Sequence, residues 1–99
     1  MLDLQHLKTF MAVVATMSFN RAADELDYSQ PSVTHHIHRL ERELGVRLFN
    51  RNRFARHIAL TDAGHCIYLY ASRLLALAEE AKAAVKPKKK GPGPPKKGG

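Results

Sequence analysis

Between Ser29 and Leu44 the chain carries a pattern that admits few backbone solutions. Val33, Ile37, Leu40 and Leu44 recur at i, i+4, i+7 and i+11, the spacing of one narrow apolar stripe on an α-helix. Ser29 stands where an N-cap hydroxyl accepts from an otherwise unpaired first-turn amide. Pro31 falls inside that first turn, where a missing N–H costs little. At about 100° per residue, Gln30, Thr34, His35 and His38 project away from the stripe. The N-terminal half of the helix therefore presents hydrogen-bonding groups and little bulk. Gly45 suits the left-handed residue that closes such a helix, and Val46 the apolar contact that often follows it.

The flanking segments give this helix neighbours. Asp3 can cap a first helix running to about Met17, with Leu4, Leu7, Phe10, Met11 and Val14 on one broad face. Ser18 then caps a second, Phe19 to Leu26, whose inward side is Phe19, Ala22, Ala23 and Leu26. Its small alanines allow another helix to come close. Asp27-Tyr28-Ser29 leaves room for only a tight turn into the third helix. Two helices so joined, the second with a polar N-terminal half, carry the helix-turn-helix signature.

Beyond Gly45, the apolar runs Arg47-Leu48-Phe49 and Ile58-Ala59-Leu60 bracket the segment Asn50 to His57, which predicts two short strands around a loop, a wing. Thr61 can cap a last helix from Asp62 to about Val85, with Asp62 at the positive end of its dipole. Such a helix spans roughly 35 Å at about 1.5 Å per residue, more than so small a domain can cover. Ala63, Ile67, Tyr70, Leu74, Leu77, Ala81 and Ala84 follow alternating four-three spacing, a coiled-coil seam widened by Leu75, Ala78 and Val85. A second copy of the chain is the simplest partner for it. The competing arrangement packs the whole helix against the first helix of the same chain.

Charge needs dissection before it is used. The 99 residues carry 16 Lys and Arg against 9 Asp and Glu, a net of +7. Six of those lysines lie in residues 86–99, which hold no acid, so residues 1–85 have ten bases against nine acids, net +1. The tail, Lys86-Pro87 onward, has no apolar side chain beyond its prolines and is expected to be disordered. What counts is distribution: Arg47, Arg51, Arg53 and Arg56 fall in residues 47–57 without one acid. A groove-reading helix beside this basic loop points to double-stranded DNA. Gln30 can pair bidentately with adenine, and Thr34 can donate, accept or touch a thymine methyl. The short side chains of Ser29 and Ser32 let the backbone approach phosphates, and Arg51, Arg53 and Arg56 can reach the flanking minor groove.

Other chemistries find little support. No apolar run of about eighteen residues argues for a membrane span, and Met1 to Gln5 lacks the form of a secretory signal. The single cysteine, Cys66, cannot form an internal disulfide, which fits a reducing compartment. His35 and His38 at i, i+3 could share an ion, yet no carboxylate or cysteine completes a recognisable set, so no metal or cofactor is expected. Nucleophile-elbow and Gly-rich phosphate motifs are lacking, and an enzyme is not expected. Two readings compete with sequence-specific binding: a nonspecific binder working through the basic tail, and a dimerisation module without a DNA role.

The blocks Leu7-Lys8-Thr9-Phe10, Ser18-Phe19-Asn20-Arg21-Ala22-Ala23, Ser29-Gln30-Pro31-Ser32-Val33-Thr34, Leu44-Gly45-Val46-Arg47-Leu48-Phe49 and Leu60-Thr61-Asp62-Ala63-Gly64 occur in order. As a set, over about residues 1–85, they resemble the N-terminal DNA-binding domain of LysR-type transcriptional regulators. The resemblance implies a mainly α fold: a winged helix-turn-helix of three helices and a two-stranded wing over residues 1–61, a linker and dimerisation helix over 62–85, and the tail 86–99. It implies an antiparallel homodimer through Ile67, Tyr70, Leu74, Leu77 and Ala81, higher oligomers of a full-length form, and a place in the bacterial cytoplasm at the nucleoid. It also puts Gln30, Pro31, Thr34 and His35 at the major groove and a wing basic residue at the minor groove; with Ser29, Ser32 and His38 beside them and Arg51, Arg53 and Arg56 on the wing, these are the candidate DNA-binding residues. His35 and His38 stand where the family usually has arginine, Tyr28 where it has an aliphatic residue, and the wing is about two residues longer than common. The family's two-lobed effector domain has no counterpart before Gly99, so the expectation is an isolated DNA-binding domain without a small-molecule effector site.

Overall fold

Each of the four helices starts on a side chain that accepts a first-turn amide. In the computed structural model, which describes residues 1–51 and 58–87 (residue 51 by its backbone), Asp3 accepts from the Gln5 N–H at 2.8 Å and Ser18 from Arg21 at 3.1 Å. Ser29 accepts from Ser32 at 3.2 Å and Thr61 from Gly64 at 2.9 Å. These caps open α1 (Leu4–Thr16), α2 (Phe19–Leu26), α3 (Gln30–Leu44) and α4 (Asp62–Val85). Each contributes about 1 kcal/mol by satisfying a donor that the helix cannot. The helix ends are less uniform. Gly45 closes α3 at φ 73°, its amide and that of Val46 both donating to the Glu41 carbonyl. Met17 and Asp27 close α1 and α2 in the same left-handed region, at φ 50° and 61°, without being glycine.

The expected apolar faces are buried with some rotation. On α3, Val33, Ile37 and Leu40 are fully buried and Leu44 is half-buried. On α1 the buried set is Leu7, Thr9, Phe10 and Val13, whereas Leu4 is largely exposed and Met11 and Val14 are half-buried. The reason is that α1 has three neighbours: it packs on α2, α3 and α4, so the side facing all of them is wider than one stripe. Thr9 can join that side because its hydroxyl donates to the Gln5 carbonyl at 3.1 Å. Ala22 and Ala23 are the buried residues of α2, as their size suggested.

The wing strands are β1 (Phe49–Arg51) and β2 (Ile58–Leu60), antiparallel with Phe49 opposite Leu60, Asn50 opposite Ala59 and Arg51 opposite Ile58. Pairing begins at Phe49 rather than at Arg47. The backbone before it is already committed: the Leu48 N–H donates to the Glu41 carboxylate at 2.8 Å, and the Leu48 carbonyl accepts from the Thr61 N–H at 3.0 Å. Arg53, Arg56 and the rest of the loop 52–57 lie outside the described residues, as does the tail from residue 88. Val46 is exposed, so the apolar contact expected of it is not made with the core. Among the described residues no helix is long and apolar enough to cross a membrane.

Candidate nucleic-acid interface

A helix can offer its first turn to a ligand only if its other side is anchored, and α3 is anchored three ways. Its stripe fills the core with Leu7, Phe10 and Val13 of α1 and Ala22 and Ala23 of α2. Its C-terminal end holds the wing through Glu41, only 7% exposed, whose carboxylate takes the Leu48 amide and has the Arg47 Nε at 3.9 Å. Its α1 side carries His36, whose Nδ1 lies 2.8 Å from the Thr9 hydroxyl.

The sequence-expected reader residues gather on the free side of this helix. Ser29 caps it, and the Ser29 hydroxyl donates to the Ser32 Oγ at 2.9 Å. The two serines therefore hold each other and the first turn. Gln30 and Pro31 are exposed, as are His35 and His38, while Ser32 and Thr34 are half-buried. The Gln30 Nε2 donates to the Thr34 Oγ1 at 3.2 Å, an i, i+4 pair that fixes the amide against the helix. That hydrogen bond does not use the Gln30 side-chain carbonyl oxygen, its second N–H or the Thr34 hydroxyl proton. Arg51 is placed by its backbone in β1 opposite Ile58, at the edge of the loop that holds Arg53 and Arg56.

Periodicity could have found Glu41, four residues after Ile37 on the buried side of α3, but a carboxylate there reads as an exposed charge until its amide partner is known. His36 is the other residue missed. Half-buried, it meets His6 of α1 with ring centroids 4.7 Å apart and Tyr28 edge-on at 5.2 Å. Burial chiefly, then the neighbouring His6 and His35, hold its imidazole below the usual value, against a smaller opposing pull from Asp3. No group of three or more His, Cys, Asp or Glu suited to a metal ion occurs among the described residues.

The expected seam of α4 divides in two. Gly64 and Ala71 are buried and Ile67, Leu75 and Ala78 half-buried, one face on the domain's own core. Ile67 thus serves the inner face, where it shares a side with Ala71, one turn on. Tyr70, Leu74 and Leu77 remain 56%, 40% and 60% exposed, and Ala81 is exposed with them. By helical rotation this second stripe lies roughly a quarter turn from the first. Packing entirely against α1 is therefore not what α4 does.

Comparison with known proteins gives the arrangement a family. Residues 4–65 match the model of bacterial regulatory helix-turn-helix proteins of the lysR family. The HTH-type transcriptional regulator BenM of Acinetobacter baylyi is 43% identical over 75 residues, covering 76% of this chain and 24% of that protein. The chain thus spans about a quarter of the length of that curated relative. The BenM DNA-binding domain solved with benA site 1 DNA superposes with a TM-score of 0.77 at 38% identity, over 84% of this chain and 91% of that one. A complex of the CbnR DNA-binding domain with DNA gives 0.75 at 37%, over 86% and 100%. The four capped helices, the wing and the match along residues 4–65 agree, and the chain belongs to the LysR family of bacterial helix-turn-helix regulators.

Proposed function

We propose that this chain reads double-stranded DNA as a homodimer and regulates transcription in the bacterial cytoplasm, at the nucleoid. The N-terminal half of α3 enters the major groove, the wing arginines lie at the flanking minor groove, and the exposed stripe of α4 pairs antiparallel with a second copy. The observation that carries the reading is the Gln30–Thr34 pair, one turn apart at the N-terminal end of a helix whose adjoining stripe, Val33, Ile37 and Leu40, is fully buried. An amide so held offers an acceptor and a donor together, the pattern that matches adenine in the major groove. The helix dipole adds attraction for phosphate at the same end. Relatives solved on DNA support this use of the fold.

Selection from random duplexes should recover a site that the domain prefers over its scrambled version in fluorescence anisotropy. Equal affinity for both at about 150 mM salt would defeat the reading, since charge alone would then explain binding. Gln30→Ala should erode the preference by about 1–3 kcal/mol at one position of each half-site. For assembly, Leu74→Glu places a charge in the exposed α4 stripe and should lower the sedimenting mass toward the monomer. An unchanged mass would remove this stripe from the dimer contact.

A further inference from the structure

The recognition helix of this chain rests on α1 through a group of rings rather than through aliphatic packing alone. Thr9 has a single hydroxyl proton. With that proton on the Gln5 carbonyl at 3.1 Å, the 2.8 Å contact to His36 must be the imidazole Nδ1–H donating to Thr9. The remaining proton acceptor of the ring is then Nε2. The groups facing His36 are known from each element around it: Asp3 from the N-cap of α1, His6 from α1, Tyr28 from the turn before α3, and His35 from α3 itself. His6 in turn has Asp3 Oδ2 3.7 Å from its Nε2, and shares a small cleft with Arg39, Glu43 and the Met1 amino group.

We propose that His36 is a positioning residue for DNA reading, which keeps α3 seated for discrimination only while its ring is neutral. His36 and Thr34 lie on opposite shoulders of the buried stripe, about 160° apart around the helix. A charge on His36 is repelled by His6 and His35 whenever those are protonated, and burial disfavours it in any case. Relief comes from rolling the His36 side of α3 away from α1, and that motion re-aims Gln30 and Thr34 on the opposite shoulder. The inference rests on the reading of α3 given above.

The sign follows from burial and the neighbouring imidazoles. They hold His36 below the ordinary 6.5, so the seated form is favoured above that pH and loses ground as pH falls through the lowered value. Acid also adds charge to exposed histidines and strengthens nonspecific attraction to phosphate. The quantity to follow is therefore the ratio of affinities for a selected duplex and its scrambled version.

The experiment measures that ratio for the full chain by anisotropy from about pH 7.5 to about pH 5.5, with circular dichroism on the same samples. The expected wild-type result is a severalfold fall, bounded at about tenfold per subunit over that range, with helical signal retained. His36→Asn, whose amide can donate to Thr9 without titrating, should keep the ratio at high pH and flatten the profile; His65→Gln, at an exposed position of α4 away from the His36 rings, should leave the pH-dependent fall in place. A flat wild-type profile overturns the proposal. So does a fall that persists in His36→Asn, one abolished by His65→Gln, or one that tracks loss of helical signal. Should His36→Asn not fold, NMR titration of the wild-type His36 ring decides: its midpoint must coincide with the fall in discrimination, and a mismatch overturns the assignment. A ratio of one at every pH defeats the DNA reading itself, and the inference with it.

Discussion

Gly64→Ala is expected to destabilise this domain although it adds one methyl group and improves helix propensity. A Cβ built on Gly64 would stand 2.3 Å from the Leu48 carbonyl oxygen and 2.9 Å from the Leu60 Cδ1. The first obstacle is backbone, and it is fixed from both sides: the Leu48 carbonyl accepts from the Thr61 amide and the Leu48 N–H donates to Glu41. Overpacking of this kind costs about 3 kcal/mol. The gain from replacing a helical glycine is at most about 1 kcal/mol. The clash prevails by about 2 kcal/mol, or on the order of 10 °C in Tm for a domain of this size, in thermal unfolding at matched protein concentration. An unchanged or raised Tm would mean that the first turn of α4 can slide off the wing base, and the rigid placement of the wing on α4 would be wrong.

Phe49→Ala should have the largest effect of any substitution considered. Phe49 is the first ladder residue of β1, fully buried, with its ring centroid 5.5 Å from Phe10 of α1 and 5.8 Å from Phe19 of α2. Removing it opens a cavity where the wing meets both helices, at a cost of about 3–5 kcal/mol. Against a typical total of about 5–15 kcal/mol for a domain, that leaves a chain partly unfolded under ordinary conditions. Phe49→Leu keeps most of the volume and should cost no more than about 1.5 kcal/mol. Urea titration of the three proteins checks both figures, and a loss below about 1 kcal/mol for the alanine variant would show that the wing base is not part of the core.

These two positions also show where local reading stops. Every helix start was legible, because a cap needs only a short polar side chain followed by a helical pattern, and Asp3, Ser18, Ser29 and Thr61 each accept the expected type of first-turn amide. The ends at Leu26 and Val85 were legible in position, but a left-handed closing residue was legible only at Gly45. Met17 and Asp27 adopt the same left-handed backbone without the residue type that announces it. The polar side of α3 was legible for the same reason as its apolar side, since one period sets both. The Gln30–Thr34 hydrogen bond at i, i+4 was implied by spacing and needed coordinates to be seen.

What the sequence by itself determined is therefore the set of elements, their order and the polar face of α3, all properties of residues within a few positions of one another. Tertiary structure decided which side of each element is used. Leu4 lies exposed while Thr9 is buried, because α1 answers to three neighbours at once. Ile67 belongs to the core and Leu77 to solvent, because α4 gives one of its two apolar stripes to its own domain. Glu41 became the anchor of the wing and His36 a polar seat of α3 through partners seven and twenty-seven residues away. A hydrogen bond or a close backbone approach over such distances depends on how the helices cross, and helix crossing is fixed by the packed core as a whole.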